Sequence, residues 1–195
     1  MQFDGLRIGF ALTGSHCTLN ETTDVIKYLV EKGADVTPIV SFAVDTMDTR
    51  FGSANDWKCM VAEVTGKEPI HTIPEAEPVG PGKLFDCMVI APCTGNTLAK
   101  LANGITDTPV LMAAKAHLRN QRPLVLAIST NDGLSLNARN IGTLLITKNI
   151  FLVPFGQDNP QVKANSLVAH MSLVPDTILM ACQGQQLQPI LKDYF

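Results

Sequence analysis

At 195 residues, 46% hydrophobic and only 17% charged, the chain has the mass and composition of one globular domain spanning 1–195, not of a disordered segment. A net charge of −3 gives no electrostatic reason to expect nucleic acid. No apolar run is long enough to span a bilayer, and the first residues lack a signal-peptide layout, so a soluble cytoplasmic protein with no membrane partner is expected.

Residues 6–12 read as a short buried strand ending at Thr13-Gly14-Ser15. Helical spacing of Val25, Ile26, Leu29 and Val30 predicts a helix over 20–31, with Gly33 as its stop. A second strand is expected at 35–40 and a helix at 54–64. Six prolines and glycines between 68 and 83 exclude long regular elements there. Such a loop inside a compact domain is more often functional than filler. A third strand, 84–90, runs into a proline-kinked loop, Ala91-Pro92-Cys93, and then a helix to Leu101. Beyond it come a helix at 110–118, a fourth strand at 124–128, a helix at 136–147, a strand at 150–153, a polar stretch at 156–166 and a helix at 173–183.

Strands alternating with helices imply parallel βαβ units. The expected fold class is α/β: a Rossmann-like three-layer sandwich around a mainly parallel sheet. In that architecture ligands bind outside the carboxyl ends of the strands, at the switch point. Small polar residues fall at those ends: Thr13, Gly14 and Ser15; Ser41 and Phe42; Thr94, Gly95, Asn96 and Thr97; Ser129, Thr130 and Asn131. The first loop is not G-x-G-x-x-G, so it matches no dinucleotide fingerprint. Each loop alone also reads as a turn or a helix cap; their convergence is what marks a site.

Five cysteines, odd in number and without C-x-x-C spacing, argue against zinc and against a disulfide framework. Cys93 stands apart because it lies inside the third-strand motif. The four histidines have no metal-ligand spacing, so no metal is expected. His16, beside the first loop, and His71, in the proline-rich excursion, are the candidates for catalysis.

The segment Ala91-Pro92-Cys93-Thr94-Gly95-Asn96-Thr97, followed by Ala99-Lys100-Leu101-Ala102-Asn103-Gly104, resembles the P-A-S-A-N-T region of the flavin-dependent cysteine decarboxylase-like flavoproteins. That family includes phosphopantothenoylcysteine decarboxylase, lantibiotic decarboxylases and flavin prenyltransferases. Thr13-Gly14-Ser15 resembles its first phosphate loop, Ser41 falls at the hydroxyl ending its second strand, and Ala127-Ile128-Ser129-Thr130-Asn131 takes the place of its A-P-A-M-N segment. The resemblance implies FMN, with its phosphate near Gly14, Ser15 and Ser41 and its ring near Thr94, Gly95, Asn96 and Ser129. It also implies a trimer-based homo-oligomer, with which the low charge content agrees.

Further stretches, Asp86-Cys87-Met88-Val89-Ile90, Asn131-Asp132-Gly133-Leu134 and Asn149-Ile150-Phe151-Leu152-Val153-Pro154-Phe155-Gly156-Gln157-Asp158, resemble one branch of that family, the B subunits of dipicolinate synthases. That branch implies oxidation of a dihydrodipicolinate-type dicarboxylate during sporulation, in the mother cell of a spore-forming bacterium. NAD(P) is expected on a dehydrogenase-like A subunit, and Asn131 is the candidate for a substrate carboxylate. Three departures point away from cysteine decarboxylation: no cysteine in 156–166, Thr130 in place of methionine, and His71 displaced from the family's catalytic histidine. The alternatives are a stand-alone FMN-dependent decarboxylase and a non-catalytic, substrate-positioning subunit.

Overall fold

The computed structural model describes residues 2–193. Five strands, β1 (Arg7–Leu12), β2 (Asp35–Val40), β3 (Cys87–Cys93), β4 (Leu124–Thr130) and β5 (Ile150–Leu152), pair in parallel in the order β2-β1-β3-β4-β5. Two short strands, β6 (Phe155–Gly156) and β7 (Leu167–Ala169), add an antiparallel pair. β7 pairs with Ser129 and Thr130 at the top of β4. Every residue of β3 and β4 is buried. A strand covered on both faces reads as a continuous apolar run, as 87–91 and 124–128 do.

The helices are α1 (Leu19–Glu31), α2 (Phe42–Thr46), α3 (Ala54–Thr65), α4 (Ile73–Ala76), α5 (Gly95–Ala102), α6 (Pro109–Leu118), α7 (Ala138–Leu145) and α8 (Val174–Cys182). α1 packs against α3 and α8, whereas α6 packs against α4 and α5. The β1-to-β2 and β3-to-β4 crossovers run outward in opposite directions, so their right-handedness puts α1 and α6 on opposite faces of the sheet. Local chemistry sets the helix starts. Ser53 and Asp56 form a reciprocal capping box on α3, and Thr108 caps α6 ahead of Pro109. Gly66 ends α3 in the left-handed conformation at φ 68°. The sheet itself dictates Gly9, because a Cβ there would run into the Phe85 ring. No helix among the described residues is long and apolar enough to cross a membrane.

Three sequence expectations need correction. The third strand does not stop before Ala91-Pro92-Cys93; β3 continues through them, with a register shift between Ile90 and Cys93 against β4. β4 likewise runs two residues further, because β7 supplies partners to Ser129 and Thr130. The helix expected at 136–147 begins at Ala138, since Ser135 and Asn137 donate their N–H groups to Asp132 O in a turn. The excursion at 68–83 holds only short helical turns, as expected, and braces the sheet. Ile70 bridges to Ile39 beside β2, Ala76 and Val79 are buried, and Asn120 Nδ2 donates to Gly80 O.

Candidate functional site

The order β2-β1-β3-β4 reverses direction between β1 and β3, so the loops after these two strands diverge and leave a crevice. Three strand-end loops meet there. Gly14 and Ser15 follow β1; Thr94, Gly95 and Asn96 follow β3; Ser129, Thr130, Asn131 and Asp132 close β4. The cavity they line measures about 400 Å³, within the usual range for small-molecule sites.

Internal hydrogen bonds tie the walls together. The buried Thr13 hydroxyl donates to Pro92 O at 2.6 Å and accepts from the Thr94 N–H at 3.0 Å. That pair fixes the β3 loop against β1. Across the crevice the Ser15 and Ser129 hydroxyls lie 2.7 Å apart. Thr94 caps α5, accepting from the Thr97 N–H and lying 3.1 Å from the buried Thr97 hydroxyl. Thr13 and Thr97 therefore lie beneath the site, not on its surface.

Asp132 is the residue that sequence reasoning missed. Its carboxylate accepts from the Thr130 hydroxyl at 2.5 Å and from Asn137 Nδ2 at 2.9 Å. Asn137 Oδ1 accepts in turn from Asn140 Nδ2 at 2.8 Å. The Thr130 hydroxyl and then the Asn137 amide hold the Asp132 carboxyl below the usual aspartate range, so it is ionised at neutral pH. The sequence does carry a usable signal: an acid directly after the hydroxyl-rich end of a strand. By itself, though, the Asp-Gly pair there reads only as a turn tip.

Gly95 lies under this cluster. A Cβ at that position would meet the Thr130 hydroxyl, Asn137 Nδ2 at 2.7 Å and Asp132 Oδ1 at 2.8 Å. A side chain at Gly14 would come to 2.9 Å from Ala43 Cβ of α2. Both glycines are close-approach positions.

The fourth expected loop adjoins the crevice without lining it. Ser41 donates its N–H to Leu12 O, and its buried hydroxyl has no hydrogen-bond partner among the described residues. Phe42 opens α2 and is exposed. His16 is half-buried; its Nδ1 has no partner among the described residues, and burial lowers its pKa, which favours the neutral ring. His71 is not brought into the crevice. It sits in a separate charged pocket with Asp45, Lys58 and Glu75, its Nδ1 3.6 Å from Asp45 Oδ2. The proline-rich buttress carries it there. Cys93 is buried and its thiol is pushed up to about 12 by desolvation, which makes it a packing residue.

Comparison with known proteins fits this geometry. The family model "Flavoprotein" matches residues 2–176. The B subunit of the Bacillus subtilis dipicolinate synthase is 56% identical over 191 residues, covering 98% of this chain and 96% of the relative. The crystal structure of the dipicolinate synthase B subunit from Bacillus halodurans superposes with a TM-score of 0.92 at 53% identity, covering all of both chains. The FMN-dependent cysteine decarboxylase SpaF has a TM-score of 0.67 at 19% identity, covering 91% of this chain and 97% of its own, a likeness of fold alone. The chain belongs to the flavoprotein family.

Proposed function

We propose that this chain is a B-type subunit of a dipicolinate synthase. With a dehydrogenase-like A subunit carrying NAD(P), it takes part in oxidising a dihydrodipicolinate-type precursor to pyridine-2,6-dicarboxylate during sporulation. The observation that carries this reading is the full-length likeness to the Bacillus subtilis B subunit, joined to a polar crevice at the switch point of the sheet.

The residues present fit FMN. Ser41, two residues before the Ala43 that adjoins Gly14, offers a buried hydroxyl with no partner among the described residues, which suits a phosphate oxygen. The half-buried Ser15 hydroxyl supports the same end, and Thr94, Gly95, Asn96 and Ser129 form a polar edge for a planar ring. Bound there, FMN would supply a two-electron acceptor suited to making an aromatic ring. The protein's part is orientation. Asn131, exposed at the end of β4, presents a carboxamide to a substrate carboxylate. Asp132, held ionised and fixed by Thr130 and Asn137, keeps the β4 loop in one arrangement. His71, in its own pocket, has no part in this site within one copy of the chain.

Two measurements test the reading. The purified protein should show a flavin spectrum, or acquire one on adding FMN; a colourless protein that takes up no FMN refutes the cofactor. Oxidation of the precursor should need both subunits, and the two should co-purify. Full activity of the A subunit alone would refute the subunit role. Release of CO₂ from cysteine-terminated substrates would favour the decarboxylase alternative, against which stands the absence of cysteine from 156–166.

A further inference from the structure

The crevice does not end at Asp132. Gly95, Asn96 and Asp132 also line a second cavity of about 620 Å³, which continues over Ala99 to Arg139 on α7. Three shared residues make the two cavities neighbours along one wall. Asn131 belongs to the first alone and Arg139 to the second alone.

Arg139 is the one cationic side chain lining either cavity. It is exposed, and among the described residues its guanidinium makes no ion pair or hydrogen bond. Asp132 lines the same cavity, but among the described residues its carboxylate bonds to Thr130 and Asn137 and forms no ion pair with Arg139. The support beneath Arg139 is well defined. Asn137 and Asn140, both buried, run a hydrogen-bonded chain from Asp132 into the first turn of α7. The helix that carries the arginine is thereby tied to the loop that carries Asn131.

We propose that the second cavity holds one carboxylate of a planar dicarboxylate, with Arg139 as its anchor. The ring crosses between the cavities at Asn96, beside the edge proposed for the flavin ring, and the other carboxylate meets Asn131 in the first cavity. This rests on the dicarboxylate chemistry proposed above and adds what selects it. A guanidinium presents a rigid fork of donors that matches a carboxylate in two bonds. Asn96 lines both cavities, so one planar molecule can reach into the two. A monocarboxylate can engage only one end, and the guanidinium is the stronger of the two. Arg139 is therefore a substrate-anchoring residue, distinct from the groups that hold the flavin.

Titration of the full-length chain, with and without FMN, by pyridine-2,6-dicarboxylate and by pyridine-2-carboxylate tests this. The parent protein should prefer the dicarboxylate by about tenfold to a hundredfold, the worth of one charge-assisted pair. Arg139→Gln should weaken both probes by about tenfold to a hundredfold, because the single carboxylate of pyridine-2-carboxylate takes the guanidinium end as well, and leave FMN uptake unchanged. Arg139→Lys should restore part of the affinity. A parent protein that binds neither probe or shows no preference, or an Arg139→Gln variant that binds both as tightly as the parent, overturns the proposal. FMN uptake is read from absorption before either probe is added, so failure of the flavin assignment is seen separately.

Discussion

Replacing Gly95 with alanine sets two effects of opposite sign against each other. Gly95 is the first residue of α5 and has no left-handed backbone, so alanine fits its conformation and gains at most about 1 kcal/mol of helix propensity. The added methyl, however, points at the Thr130 hydroxyl, at Asn137 Nδ2 (2.7 Å) and at Asp132 Oδ1 (2.8 Å). These atoms are not free to swing away, because they hydrogen-bond to one another at 2.5 and 2.9 Å. Making room means breaking a bond to an ionised carboxylate, worth about 1.5–3 kcal/mol, or overpacking the site at about 1–3 kcal/mol. The steric effect wins, and Gly95→Ala should destabilise by about 1–2 kcal/mol and weaken FMN uptake. Urea unfolding followed by far-UV circular dichroism, paired with an FMN titration, measures both. The control is Gly142→Ala in α7, where a Cβ meets nothing within 4 Å; it should stabilise by about 0.5–1 kcal/mol. If Gly95→Ala proves as stable as the parent, or more so, the hydrogen-bonded cluster is not as rigid as argued.

Thr13→Val should cost about 1–3 kcal/mol in the same unfolding assay, because it strands the buried Pro92 carbonyl and the Thr94 N–H that the hydroxyl now serves; a neutral result would mean that water takes over both. The Asp132 carboxyl is depressed by its bonds to Thr130 and Asn137. Its contribution to stability is thus present above the unfolded aspartate value of about 3.9 and lost as pH falls through the lower folded value. Asp132→Asn should therefore flatten the acid limb of a stability–pH curve, and an unchanged limb would contradict the assignment. With the Cys93 thiol near 12, only about one in ten thousand is thiolate at pH 8. A thiol reagent should then label exposed Cys17 and Cys59 in the native protein and reach Cys93 only after unfolding, as peptide mass spectrometry would show.

The alternation of apolar runs with amphipathic stretches is enough to read the parallel sheet and to place three polar loops at its carboxyl edge. Other features rest on contacts that local pattern does not contain. β7 is three residues long and follows a polar stretch, so no period could show it. Its partners are Ser129 and Thr130, and only that pairing lengthens β4. Pro92 reads as a strand breaker because it lacks an N–H. It is accommodated inside β3 where the register to β4 shifts and where its carbonyl is served by Thr13 instead of by a neighbouring strand. Distance along the chain puts His71 near the site, but the buttress at 68–83 packs against β2 and α6 and carries it to Asp45.

The hydroxyls that mark these loops in the sequence divide into two groups once their partners are known. Thr13, Thr94, Thr97 and Thr130 direct theirs to backbone or neighbouring side chains within the protein: Thr13 holds the β3 loop against β1, and the others brace their own loops. Ser41 has a buried hydroxyl with no partner among the described residues, and Ser15 and Ser129 face each other across the mouth, where a ligand can exchange one hydrogen bond for another. A site of this kind is rigid before anything binds, so little ordering entropy is lost on binding. Removing a hydroxyl of the first group should therefore appear as lost stability. Removing the Ser41 hydroxyl should leave unfolding unchanged and appear only in ligand affinity, since nothing in the protein depends on it. That separation distinguishes a built ligand site from four capped turns that happen to share one edge of a sheet.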